Sequence, residues 1–506
     1  MEDRLNRSIW VATNETRAFP ALEAEIDVDV AIAGAGIVGV TTALLLKRAG
    51  LRVALLDMDR IGHGVTGYTT AKVSATQGLK YQQIESSHGE DTSRAYAKAN
   101  QRGLELMLDL VDQEGIDCDL ERKANYVFTE QSSEKSSIER EVDASRRAGL
   151  ATELVTETPL PFPVVAALRH PDQAQFHPLK YLAALADLID GDDSFIFENS
   201  RVTDIKEDTR CRFETDVGPG VVCDYAVIAT NYPFTDRSLM FARVHPSRSY
   251  AVAGPAPSDV MPDGMFISGE QPTRSVRTIR ENGRTLLMVG GEGHKVGRDY
   301  DTRERYATLR RWASDRFGMD EFPYEWSAQD GSTIDQLPYA GTYRRSSDRV
   351  FTATGFSKWG FTNGTVASEI IADAILARPN AFAATYDPHR VTLSASAKKA
   401  VMENSEVALH WTRDRIAHPQ RGEVETLAPG EAAVMGGPLG PVGVHRDDEG
   451  NLHCVSAVCT HLACTVSWNT AERSWDCPCH GSRFDFKGRV LQGPAVKDLP
   501  EREPPA

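Results

Sequence analysis

Cysteine is scarce in this sequence, 8 of 506 residues, which is too few for a scaffold stapled by disulfides. Long apolar runs are scarce as well. The one extended uncharged stretch, residues 30–46, contains Gly34, Gly36 and Gly39 and has its basic pair, Lys47 and Arg48, on the C-terminal side. A secretory leader carries positive charge ahead of its apolar run, and a membrane span needs about 20 apolar residues with few glycines. The stretch therefore predicts neither, and the chain reads as cytoplasmic without a membrane span. Positive charge is outweighed: 56 Lys and Arg against 72 Asp and Glu leave a formal charge of -16. That balance disfavours nucleic acid and anionic lipid as partners.

What is present is ordinary globular composition, 41% apolar and 25% charged, at a length that predicts about three folding units. Residues 27–56 read as strand, tight turn, helix and strand, with Gly34-Ala-Gly36-Ile-Val-Gly39 at the turn and Asp57 closing the second strand. Gly34 permits the turn, Gly36 lets a pyrophosphate approach the backbone, Gly39 permits close helix packing, and Asp57 is placed to accept from a ribose hydroxyl. The competing reading is a glycine-rich turn without a ligand, and the unit alone leaves FAD and NAD both open. Residues 225–230 and 349–354 are short apolar strands suited to the same sheet, whereas 249–253 and 285–290 read as strands of a second one. A charged, irregular region at 85–147 looks like an inserted lobe. Residues 393–411 read as a helical stretch without chemistry, and short strands with Gly/Pro turns are expected after 421. No internal repeat is visible.

Five of the cysteines crowd near the C-terminal end. Cys459-Thr-His461 and Cys477-Pro-Cys479-His480 present two Cys and two His, a set that could hold zinc. A C-x-H pair matches none of the usual zinc-finger spacings, but it suits a [2Fe–2S] centre with two Cys on one iron and two His on the other.

The residues around these ligands closely resemble the two cluster-binding loops of Rieske proteins, over about residues 421–506. The resemblance implies that Cys459 and Cys477 bind one iron, that His461 and His480 bind the other, and that Cys464 and Cys479 form a disulfide between the loops. It also implies that Ser482 donates to a bridging sulfide. Phe484 stands where high-potential relatives carry a Tyr, so a potential below the top of the Rieske range of about −150 to +300 mV is expected.

Residues 61–66, the run from Thr354 and Gly355 through Gly364, and Asp335-Gln-Leu-Pro-Tyr-Ala-Gly341 resemble flavin-contacting segments of the D-amino-acid oxidase and sarcosine oxidase superfamily. That resemblance favours FAD and adds Thr66, Gly355, Gly360, Phe361 and Thr362 to the cofactor contacts. Thr362 matches a position that is Lys in some relatives. The order of modules, with phrases such as Trp326-Ser-Ala-Gln-Asp330 and residues 290–295, resembles bacterial FAD-dependent oxidoreductases with a Rieske C-terminus.

The implied architecture is α/β. A Rossmann-like FAD-binding domain comprises residues 27–84, 176–240 and 330–392, and an interleaved α+β substrate domain comprises 85–175 and 241–329. A helical linker at 393–420 leads to an all-β Rieske domain at 421–506.

Lys358 and Trp359 fall in the late flavin segment, where a cation would stabilise negative charge on reduced flavin; a solvated loop lysine is the alternative. Arg248 and Arg277 are candidates for a substrate carboxylate, against a reading as salt-bridge arginines, and His294 and Lys295 are polar residues of a loop. The expected function is oxidation of a small amine or amino acid, with electrons passing through the cluster to an external one-electron acceptor protein. The alternatives are reversed flow from a donor protein and a sensing or docking role for the Rieske domain. A Rieske oxygenase is excluded on inventory, because no H-x4-H pair stands near a suitable Asp among the 13 His.

Overall fold

The computed structural model describes residues 6–14, 16–235, 237–238, 240–296, 301–390, 424–437 and 440–505. The expected linker helix at 393–420 lies outside the described residues.

The first sheet grows from β1 (Ile26–Ala33), whose Val28, Val30, Ile32 and Ala33 are buried. A strand apolar on both faces belongs inside a parallel sheet covered on both sides. β1 turns into α1 (Ile37–Arg48) through Gly34, which has φ +102° and would place a Cβ 2.6 Å from the Ala229 carbonyl oxygen. Only glycine tolerates both conditions. A Cβ on Gly39 would lie 1.8 Å from the Gly34 oxygen, so the helix is pressed onto its own entry turn. β2 (Val53–Leu56) pairs parallel to β1 on one side, and Val221–Ile228 pairs parallel on the other, followed outward by Val350–Thr354 and Tyr339–Thr342. The two distant apolar segments thus complete this sheet.

The region that reads as an inserted lobe packs tightly against its surroundings. Its long helix α2 (Glu90–Glu114) packs along a helix at the end of the flavin segments, so closely that a Cβ on Gly103 would meet the Thr362 carbonyl oxygen at 2.2 Å. Apolar residues at helical spacing, including Tyr96, Leu104, Met107 and Leu110, are buried there.

The second sheet has nine strands. Its edge is built by β3 (Val244–Gly254), β4 (Arg284–Lys295) and β5 (Tyr324–Thr333), in the spatial order β5, β3, β4. Lys72–Val73 pairs with Ala166–Gln175 in this sheet, although it lies within the segment 27–84. β5 likewise runs through the 329/330 boundary. His294 and Lys295 end a strand rather than standing in a loop. α3 (Gly360–Ile375) then returns to cover the first sheet.

Among the described residues from 424 on, the chain forms small antiparallel sheets and a short 3-10 turn, three strands over 432–456 and four over 467–492. Trp475 and Phe484 fill the centre, and a Cβ on Gly443 would come within 2.9 Å of the Trp475 ring. Among the described residues, no helix is long and apolar enough to cross a membrane.

Candidate functional site

Gly36 is the N-cap of α1, and its hypothetical Cβ would stand 3.0 Å from the Thr66 hydroxyl oxygen. That hydroxyl accepts the Ile37 N–H at 3.1 Å. With no acidic side chain in the first turn, the helix presents its positive end to an anion. Asp57 closes β2 and accepts the Ala35 N–H at 2.7 Å and the Asp59 N–H at 2.9 Å. Burial pushes its carboxyl up to about 6, against the two N–H groups that hold it down. A glycine cradle on a helix N-terminus, with a carboxylate at the next strand end, fits the diphosphate and ribose of a dinucleotide.

Gly355 has φ +80°, and a Cβ there would meet the Thr333 methyl at 2.3 Å. The following loop is tied to β5 by the Ser357 N–H donating to the Gly331 oxygen at 3.0 Å. Lys358, with φ +74°, is exposed and sends its ammonium to within 3.0 Å of where a Gly293 Cβ would be. Trp359 caps α3, which starts at Gly360, and Phe361 is buried edge-on against Phe176, with centroids 4.8 Å apart. The Thr362 hydroxyl is committed to α2 and its neighbour: it donates to Asn100 Oδ1 at 2.6 Å and accepts from Gln77 Nε2 at 3.2 Å.

Neither candidate guanidinium is left for a substrate carboxylate. Arg277 donates to the carbonyl oxygens of Thr70, Ala71 and Thr278 at 3.1, 2.6 and 3.0 Å and lies 5.3 Å from the Trp10 ring centroid. Burial pulls it down to about 9, opposed in part by the Glu121 carboxylate. It clamps the segment that follows Thr66. Arg248 is 1% exposed and is held at 3.0 Å by both Glu472 and Asp476 of the C-terminal unit. Arg248 thus follows the salt-bridge alternative, with carboxylates supplied by a distant segment that a lone sequence position does not reveal, and Arg277 is taken up by backbone carbonyls.

In the C-terminal unit, Cys459, Cys477 and His480 are buried, and the His461 and His480 rings stand edge to face with centroids 5.0 Å apart. Cys464 and Cys479 form a disulfide that joins the two loops. Backbone bonds tighten each loop: Ala463 N–H donates to Cys459 O, and Gly481 N–H to Cys477 O, both at 3.1 Å. A hydrogen bond with Cys477 draws the Cys459 thiol down to about 6, and Ser482 contributes in the same direction. Two thiols beside two imidazoles offer the soft and borderline donors that suit a mixed Cys/His iron–sulfur centre. The buried Ser482 hydroxyl also accepts the Ala495 N–H at 3.0 Å, and Phe484 is fully buried.

The two units meet at this loop. Gln329 Nε2 donates to the Gly481 oxygen at 2.7 Å, and Phe241 stands edge-on to His480 at 5.4 Å. Behind this contact lies a buried network of four charges: Arg248 and Arg483 face Glu472 and Asp476, and Ser327 donates to Glu472. On the other side, the Gln329 carbonyl accepts from Asn231 at 3.5 Å, whose own oxygen accepts the Thr354 hydroxyl at 2.5 Å. Gln329, Phe241, Glu472, Asp476 and Arg483 escape sequence reasoning. The only signal was an unusually polar phrase, residues 326–330, in a strand covered on both faces.

Residues 29–374 match the model of the FAD dependent oxidoreductase family, and 418–503 match the Rieske [2Fe-2S] domain. A Rieske 2Fe-2S iron-sulfur protein of Bacillus subtilis, YhfW, is 35% identical over 97% of this chain and 96% of its own length. Gamma-glutamylputrescine oxidoreductase of Escherichia coli is 24% identical over 72% of this chain and 87% of its own. Among solved structures, glycine oxidase from Geobacillus kaustophilus superposes with a TM-score of 0.61 at 20% identity, covering 72% of this chain and 99% of that one, a likeness of fold. The first unit binds FAD and the second a [2Fe–2S] cluster. The chain is a member of the FAD-dependent oxidoreductase family that carries a Rieske domain behind its flavin unit.

Proposed function

We propose that the protein oxidises a small amine or amino acid at its flavin unit and releases the electrons through its Rieske domain to an external one-electron acceptor. The observation that carries this reading is the seating of the His480–Gly481 loop on Gln329 of β5, the strand whose end is tied to the Gly355–Lys358 loop. The names of the E. coli relative and of the glycine oxidase support an amine or amino acid as substrate. When bound, FAD accepts a hydride and gives up electrons singly, and the cluster exchanges one electron at a time.

The chain's own residues divide the remaining work. Gly34, Gly36 and Gly39 shape the cradle, Asp57 takes the ribose, and Thr66 fixes the first N–H of α1. Lys358 supplies positive charge beside the flavin segments. Cys459, His461, Cys477 and His480 are the cluster ligands, shielded by the disulfide loops and the sheet edge. β5 forms the wall between the two halves.

Anaerobic rapid mixing with a panel of amines and amino acids tests the function. Flavin bleaching followed by loss of the oxidised cluster spectrum is the expected sequence. Cys459→Ser should keep the bleaching and lose most turnover with a one-electron acceptor. Undiminished turnover in that variant would assign the Rieske domain to sensing or docking, and cluster oxidation on adding an electron-accepting substrate would reverse the flow.

A further inference from the structure

Strand β5 has two working faces. Its register with β3 runs without a bulge from Thr333 opposite Val244 to Tyr324 opposite Ala253, so side chains alternate strictly between faces. Ser327 and Gln329 point to the Rieske domain. Trp326, Ala328 and Asp330 therefore point the other way, and Trp326 demonstrates it by donating from Nε1 to the Tyr68 oxygen at 2.9 Å, just beyond Thr66. The face that carries Asp330 is the one that looks onto the flavin-contacting segments.

Asp330 is 8% exposed, and its Oδ1 has no hydrogen-bond partner among the described residues. No ammonium or guanidinium of the described residues comes within ion-pair distance of it. Burial raises its carboxyl, opposed by the Lys358 ammonium and backbone N–H and, more weakly, by Lys80. A buried carboxylate with an unused acceptor oxygen is costly to keep. Directly opposite on β3 stands Ser247, and Lys358 lies exposed over Gly293 on the same side of the sheet. The wall thus offers one fixed negative group, nearly withdrawn from water, where a ligand's positive group would be held most strongly.

We propose that Asp330 anchors a cationic group of the substrate, so that the flavin site selects ammonium-bearing molecules over neutral ones of the same shape. This rests on the reading of the flavin unit as an amine or amino-acid oxidising site and narrows it: the substrate carries an ammonium that meets a carboxylate on β5. Asp330 is the specificity determinant, adjacent in sequence to the residue that touches the cluster loop.

The test uses the FAD-loaded, full-length protein, without oxygen, titrated with n-butylamine and with n-butanol while the flavin absorption spectrum is followed. In wild type, the amine should change the spectrum, by perturbation or bleaching, at lower concentration than the alcohol. Asp330→Asn, with unchanged FAD content, should shift the amine midpoint upward by about tenfold or more and leave the alcohol midpoint in place. Asp330→Glu should retain the preference for the amine. An unchanged amine midpoint in Asp330→Asn, or an equal shift for both probes, overturns the anchor while leaving the oxidase reading intact. Failure of n-butylamine and of the wider amine and amino-acid panel to affect the wild-type flavin overturns the oxidase reading, and the anchor with it.

Discussion

At the scale of single residues, the cofactor cradle depends on positions where no other side chain fits. A Cβ at Gly36 would approach the Thr66 oxygen at 3.0 Å, and a larger group there would also fill the space a pyrophosphate needs. Gly36→Val should therefore yield protein without flavin colour, and Asp57→Ala should weaken FAD binding by roughly 1.5–3 kcal/mol, the scale of a charge-assisted hydrogen bond. Equilibrium dialysis against FAD measures both. The strand, turn and helix that carry these residues were legible because strand, glycine spacing and carboxylate lie within one short segment.

His177, also at this scale, was not legible. It caps the helix Pro178–Ile189 by accepting the Lys180 N–H at Nδ1, and it packs edge-on against Trp10. Burial, aided by the Lys180 charge, pulls it down to about 4. The unfolded chain takes the proton first as pH falls, so the neutral cap contributes fully above about pH 6.5 and its contribution is lost toward pH 4, up to roughly 3 kcal/mol. His177→Asn keeps a capping oxygen and removes the titration. Its urea midpoint should fall less than that of wild type between about pH 7 and pH 4.5, and an identical fall would sink the assignment.

At the scale of elements, β3 and the segment 472–483 are joined by charges that balance only as a set. Arg248 and Arg483 neutralise Glu472 and Asp476 in a site where Arg248 and Glu472 are 1% and 5% exposed. Removing one cation leaves two buried carboxylates with a single partner, which costs about 3–5 kcal/mol, whereas removing an oppositely charged pair restores neutrality. Arg248→Met should thus lower stability by that amount, and Arg248→Met combined with Glu472→Gln should recover most of it, as read from denaturation followed by cluster absorbance. Additive losses in the double variant would show that the two side chains act independently. Sequence could not reveal this pairing, because the partners are more than two hundred residues apart and each looks like an ordinary surface charge.

At the scale of the whole molecule, the order of units and the sheet placement of the strands at 225–230, 349–354, 249–253 and 285–290 were legible, because alternation, glycine turns and cysteine spacing are local properties. The boundaries were not. Lys72–Val73 and β5 pair across the expected divisions, since a strand belongs to whichever sheet it pairs with, and pairing is decided by residues far away in the chain. The interface is where the linear description fails most, and it is also where function should be most sensitive. Gly481 has φ +79°, and a Cβ there would approach Gln329 Nε2 at 2.4 Å and Pro246 Cβ at 2.8 Å. Gly481→Ala must therefore lift the loop from the sheet edge, in addition to the backbone cost of a side chain in the left-handed region. One-electron transfer weakens with separation, so this variant should bleach its flavin with substrate as fast as wild type and pass electrons to an external acceptor more slowly. Iron content and the reduced-state spin-resonance signal should stay those of a Rieske cluster, which separates displacement from cluster loss. If electrons still reach the acceptor at the wild-type rate with the loop displaced, the contact between Gln329 and Gly481 is a matter of docking alone, and the route out of the flavin runs elsewhere.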